Sequence, residues 1–231
     1  MKNLPEFKPD FTQLLRALRG EAPDRPVLYE IMLNPRLETT YCDPGLPDDG
    51  GAWTAANASR ISAWKNLGYD YCNVTAAGFE FPRGEHATDQ TYSLNEGALI
   101  TNREQFDAYP WPDPEETNYG VIPEADLPDG MKLTVWGPGG VLENVIGLTG
   151  YENLCFMTVD YPQLVEDLFE AVGSRLVRYY ELVAPHDTIC AAMANDDWGF
   201  KSQPMLSPDQ MREYVIPWHA RIAEAIHAAG K

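Results

Sequence analysis

Apolar residues recur from Asp10 onward at Phe11, Leu14, Leu15 and Leu18, and Gly20 follows them. This i, i+3, i+4, i+7 spacing predicts a short amphipathic helix. The run "RPVLYEIML" (25–33) is apolar almost throughout, encloses Glu30, and reads as a buried strand. Residues 34–53, rich in Pro, Gly and Asp, read as a long loop. A second helix is predicted from about Thr54, with Ala58, Ile61, Trp64 and Leu67 on one face and Gly68 at its end. "YDYCNVT" (69–75) reads as the second strand. Residues 76–130 read as irregular, since "YPWPDPEE" holds too much proline for regular structure. Loops of that length in a compact domain are commonly lids or small excursions.

"KLTVW" (132–136) is the third predicted strand, closed by "GPGG". Farther on, Asp160, Pro162 and Gln163 read as the cap, first position and capping-box partner of a helix. Its apolar stripe is Leu164, Leu168, Val172, Leu176, Tyr179 and Val183. "DTICAAMAN" (187–195) is the fourth strand, and "SPDQ" (207–210) repeats the helix-start chemistry. Met211, Tyr214, Val215, Trp218, Ile222 and Ile226 form the last buried stripe, which Pro217 must kink or break. Apolar strands alternating with helices, without strict period-two patterning, imply a parallel sheet covered on both faces in an α/β protein. Neither G-x-G-x-x-G after the first strand nor G-x-x-x-x-G-K-[ST] occurs, so a nucleotide-binding doubly wound fold loses its main support. A (β/α) barrel of TIM type fits better, since its sites gather at strand C-termini.

A chain of 231 residues is long enough for one substantial core. Its formal charge of −18, from 35 acidic against 17 basic residues, repels phosphate backbones and disfavours a nucleic-acid role. There is no apolar run long enough for a membrane span and no secretory leader pattern, so a cytoplasmic protein is expected. Cys42, Cys72, Cys155 and Cys190 lie far apart, without C-x-x-C spacing, which argues against a disulfide framework. Cys72 and Cys190 read as small buried hydrophobes.

Candidate chemistry collects where strands end. Glu30, an acid in an apolar strand, must be paired, hydrogen-bonded or neutral. It is either the partner of an arginine such as Arg36 or Arg60, or a site carboxylate. Asp196 and Asp197 terminate the fourth strand, and successive strand residues point to opposite faces, so one would face a site while the other turns away. Both could equally be turn punctuation. Trp136, Gly137 and Trp198 are candidate substrate contacts at the same strand ends. His86, His186, His219 and His227 match no metal-ligand spacing and read as ordinary surface or core residues.

"NDDWGFKSQPMLSPDQMREYVIPWHARIAEAIHAAGK" (195–231) resembles the uroporphyrinogen decarboxylase superfamily, including its corrinoid-linked methyltransferases. Asp196, Asp197, Gly199, Leu206, Ser207, Pro208, Pro217, Trp218 and His219 carry the likeness, and "VWGPGGVLENVIGLTGYENLCFMTVDYPQLVEDLFE" (135–170) is similar to that family's third-strand region. The resemblance implies a (β/α)8 barrel of which about the first four β/α units lie within residues 1–231, a single domain expected to be the N-terminal part of a longer barrel. Joined to the reading of Glu30, it makes Glu30, Asp196 and Asp197 the candidate catalytic residues, with Glu30 and one of the two aspartates expected as site carboxylates at the barrel mouth. The decarboxylases' arginine-rich loop after the first strand has no counterpart in "YEIMLNPRLE", which points to the methyl-transferring branch. That branch implies zinc, whose main ligands would lie beyond Lys231, and a corrinoid protein or small-molecule partner. The alternatives are a tetrapyrrole carboxy-lyase and, in a different class, a non-catalytic half-barrel that binds a corrinoid protein or a second copy of the chain.

Overall fold

Three strands, β1 (Tyr71–Val74), β2 (Lys132–Trp136) and β3 (Ile189–Met193), form a parallel sheet in chain order. The computed structural model describes residues 7–46, 58–75, 78–84, 93–120 and 122–231. Every residue of β1 is buried, as the unbroken apolar pattern requires. Cys72 and Val74 register with Leu133 and Val135 of β2, and Val135 with Ala192 of β3.

The segment 25–33 departs from expectation. It is not a strand of this sheet: it runs extended beside β1, bridged to it by side chains. Tyr71 Oη accepts from Glu30 N (2.7 Å) and donates to Glu30 O (2.8 Å), and Asn73 Nδ2 donates to Ile31 O (2.6 Å). Those side chains occupy the backbone groups that a strand ladder would use. Leu33 is buried, but Leu28, Tyr29, Ile31 and Met32 are exposed, so the apolar run is not covered on both faces.

Helix α1 (Phe11–Leu18) starts at Asp10, whose carboxylate accepts from Thr12 N (3.1 Å). Asp10 N in turn donates to Asp70 Oδ1 (2.7 Å), and Arg25 pairs with the same buried Asp70, pinning the N-terminal elements to the start of β1. Helix α2 (Pro35–Tyr41) lies in the predicted loop; Asn34 caps it and Pro35 opens it. Helix α3 (Ala58–Asn66) precedes β1, and Arg60 pairs with Glu38 of α2 (3.6 Å). The predicted start at Thr54, and Trp53 and His86, lie outside the described residues. Within 93–120 only α4 (Arg103–Ala108) and a 3-10 turn at Pro114–Glu116 are regular.

Three helices, α5 (Val141–Thr149), α6 (Tyr151–Asp160) and α7 (Pro162–Val183), link β2 to β3. The predicted α7 stripe is buried throughout, and each such Leu or Val contributes about 1.5–3 kcal/mol. Its expected capping box is absent: Asp160 ends α6, and Gln163 Nε2 instead donates to Glu166 (3.1 Å) and Asp167 (3.2 Å). Two α7 tyrosines hold the ends of the strands. Tyr179 Oη donates to Trp136 O (2.8 Å) and Tyr180 Oη to Met193 O (2.6 Å).

The last helix opens as α8 (Pro208–Gln210) with the reciprocal Ser207–Gln210 capping box. It passes through a π-helical turn (Met211–Val215) and continues as α9 (Ile216–Ala228). Pro217 stands just after the π-turn, where the wider turn absorbs the missing amide donor instead of breaking the helix.

Candidate active site

A cavity of about 660 Å³ opens at the C-terminal ends of the three strands. Each strand contributes to its wall at or just past its end: Thr75 and Phe79–Arg83 after β1, Trp136 at the end of β2 with Gly137–Gly139 after it, and Asn195 and Asp197 after β3. Glu143 and Asn144 reach it from the first turn of α5, and Glu96 from the loop beyond β1. Ligand sites in parallel-sheet proteins form at this edge, because the strand-to-helix loops converge there.

The two adjacent aspartates have different jobs. The Asp196 carboxylate, 1% exposed, accepts from Leu142 N (2.9 Å) and Glu143 N (3.0 Å) and meets His219 Nε2 at 2.9 Å. It therefore caps α5 from another strand and supplies what Gly140, at the N-cap position, lacks. A Cβ on Gly140 would lie 2.1 Å from Asp196 Cγ, so only glycine admits this carboxylate. Glu143 completes the start of the helix by accepting from Gly140 N (2.8 Å). The terminal amides of α5 are thus already bonded to carboxylates, which removes the anion site that a bare helix N-terminus would offer.

Asp197 is exposed and lines the cavity; its Oδ1 accepts from Gly199 N at 3.3 Å. Trp136 and Gly137 line it too. Asp196 does not: its place is behind the wall. Trp198 leaves as well, packing edge-on against His219 (5.1 Å, 82°) and bordering a second cavity of about 360 Å³ with Phe200, Met211 and Ile216. Glu30 is exposed, its carboxylate accepts from Ile31 N (3.0 Å), and it is not among the residues of the cavity wall. The structure thus brings Asp197, Trp136 and Gly137 together and holds Glu30 and Trp198 apart from them.

Several wall residues carry no pattern that marks them in the sequence. Arg83 lies across Gly147 of α5 and donates to Asn144 Oδ1 (3.1 Å), and Asn144 Nδ2 donates to Gly140 O (2.8 Å). Asn195 Nδ2 points to Glu143 Oε2 (3.3 Å), which fixes the amide orientation and leaves Oδ1 as an acceptor. Among the described residues, neither Asn195 Oδ1 nor the Trp136 Nε1–H has a hydrogen-bond partner, although both atoms are buried. Because both atoms are buried, a molecule in the open cavity reaches neither of them unless the wall shifts.

The chain is similar to a methyltransferase from Methanosarcina mazei, with a TM-score of 0.58 over 93% of this chain and 14% sequence identity. The two share a fold. This chain spans 66% of that protein's length. No family model matches the chain, and no curated protein matches it. What the likeness supports is a mixed α/β architecture, built on the parallel sheet, of the kind that the methyltransferase has.

Among the described residues, no three His, Cys, Asp or Glu side chains are grouped to hold a metal ion. All four cysteines are free, and burial pushes the thiols of Cys72 and Cys190 up to about 12. Zinc prefers thiolate and imidazole ligands, so the described residues do not fit it. Among the described residues no helix is long and apolar enough to cross a membrane.

Proposed function

We propose that this chain forms the strand-end site of a (β/α) barrel enzyme that transfers a methyl group, in the manner of the corrinoid-linked branch of the uroporphyrinogen decarboxylase superfamily. The supporting observation is the likeness to a methyltransferase over 93% of the chain, joined to a cavity at the C-terminal ends of its parallel strands. Strand order equal to chain order agrees with a barrel, since a doubly wound sheet reverses its order at the ligand crevice. In this reading Asp197 and Glu143 orient the methyl-bearing compound or hold its protons, and Trp136 with Phe79 and Phe81 excludes water. A corrinoid belongs to the same proposal, and zinc, which the described residues do not fit, would need ligands from outside them.

A tetrapyrrole carboxy-lyase is the weaker reading. Its substrate carries several carboxylates, and among the described residues the wall offers one guanidinium, Arg83, against Glu80, Glu96, Glu143 and Asp197.

The test is transfer from ¹³C-methylcobalamin to a small thiol, followed by NMR, with and without added zinc. The expected result is a protein-dependent S-methyl signal that falls at least tenfold in Asp197→Ala. Absence of both transfer and corrinoid binding would overturn the proposal.

A further inference from the structure

We infer that the second cavity, beside the π-helical turn, binds a small neutral aromatic compound that carries one N–H or O–H donor. Neither the strand-end cavity nor methyl transfer enters into it.

The first ground is the backbone of the last helix. In the π-turn the Ile216 N–H donates to Met211 O, five residues back, and so does not serve Arg212 O, its partner in an α-helix. If the π pattern continued, the donor for Arg212 O would come from residue 217, and Pro217 has no N–H. The Arg212 carbonyl therefore loses both donors. A helical carbonyl points toward the residue four positions on, which places this one on the helix surface between Arg212 and Ile216, and both residues line the cavity. A ligand that covers such a carbonyl strips its hydration, so one with a donor of its own is favoured over one without.

The second ground is the rest of the wall. Residues 198–205 form a tight hairpin, closed by Met205 N donating to Trp198 O (2.8 Å) and Phe200 N to Gln203 O (2.9 Å). The hairpin gives the cavity Trp198 and Phe200, and the helix gives it Met211 and Ile216. Trp198, Phe200 and Ile216 are 40%, 47% and 42% exposed, so a ligand reaches all three. Two rings and a thioether favour a flat aromatic body. Charge favours a neutral one. Arg212 carries the one ionic side chain of this wall among the described residues, and it already pairs with Asp209 (2.9 Å). An anion would compete with Asp209, and a cation would meet the guanidinium. The volume of about 360 Å³ lies near the lower end of small-molecule sites, roughly 300–1,000 Å³, and suits a compound of one or two rings.

Isothermal titration with indole and with benzothiophene tests the inference, because the two share a shape and differ in the N–H. Indole is expected to bind saturably at one site, about fivefold tighter than benzothiophene, the worth of one neutral hydrogen bond. The carbonyl ¹³C resonance of Arg212, assigned with Arg212→Lys, should move on addition of indole and stay in place with benzothiophene. Phe200→Ala should weaken both compounds at least fivefold and leave their ratio unchanged. Its side chain is exposed, so the fold should survive, and thermal melting checks this. Equal affinities, no binding of either compound, an Arg212 carbonyl that indole does not move, or affinities unchanged in Phe200→Ala would each overturn the inference. Tighter binding of indole-3-carboxylate than of indole would overturn the neutral class. Tighter binding of N-acetyltryptophanamide would overturn the small-molecule reading, since the occupant would then be a side chain of a protein partner.

Discussion

Asp196 and Asp197 are neighbours in the chain with opposite environments, and a pair of substitutions separates their roles. Asp196→Ala removes a carboxylate that two α5 amides and His219 share. It should lower the free energy of unfolding by about 2–4 kcal/mol, read by urea denaturation, since a cap is lost and buried donors are left unpaired. Asp197→Ala removes an exposed wall residue and should change stability by less than about 0.5 kcal/mol. If both changes cost the same, the division of labour is wrong. The sequence shows the pair, but the strand alternation expected to separate them does not apply, since β3 ends at Met193. It does not show that the buried member caps α5 by accepting from Leu142 N and Glu143 N, because those contacts span more than fifty residues. The cysteines offer a second check at this scale. With thiols pushed up to about 12, Cys72 and Cys190 should resist iodoacetamide in the native protein at pH 8, where only about one in ten thousand is thiolate. Cys42 and Cys155, which are partly accessible, should react first in peptide mapping.

Among the elements, those that are amphipathic or carry cap chemistry were legible: α1 behind Asp10, the α7 stripe and the Ser207–Gln210 start. Failures have local causes. Residues 25–33 are apolar like a core strand, yet Tyr71 and Asn73 side chains take up backbone groups that would form a ladder. Helix α2 was hidden because Asn34–Pro35 reads both as a turn and as a helix start. Packing between α7 and α9 rests on a close approach that neither helix reveals alone. A Cβ at Gly173 would stand 2.1 Å from Trp218 Cδ2. Gly173→Ala should therefore destabilise by about 1–3 kcal/mol despite alanine's better helix propensity. A gain in melting temperature would show that the indole can move aside at no cost.

At the scale of the whole molecule, a parallel sheet with its cavity at the strand ends follows from the alternation of strands and helices, which the sequence displays openly. The composition of the cavity wall does not. Arg83, Glu96 and Asn195 come from irregular segments with no periodicity to read, and they meet only because three strand ends are brought side by side. Tyr179 and Tyr180 fix two of those ends through Trp136 O and Met193 O. Their replacement by Phe should loosen the site as well as the core, read as weaker ligand binding at unchanged secondary-structure content.

The indole of Trp136 is the most direct reporter on the cavity, since the residue stands in its wall. Its ¹H–¹⁵N resonance, assigned with Trp136→Phe, can be followed while methylcobalamin is added. The expected result is a saturable shift of Trp136 with little change at Trp198, which borders the other cavity. A shift confined to Trp198, or none at saturating ligand, would contradict the placement of the site at the strand ends.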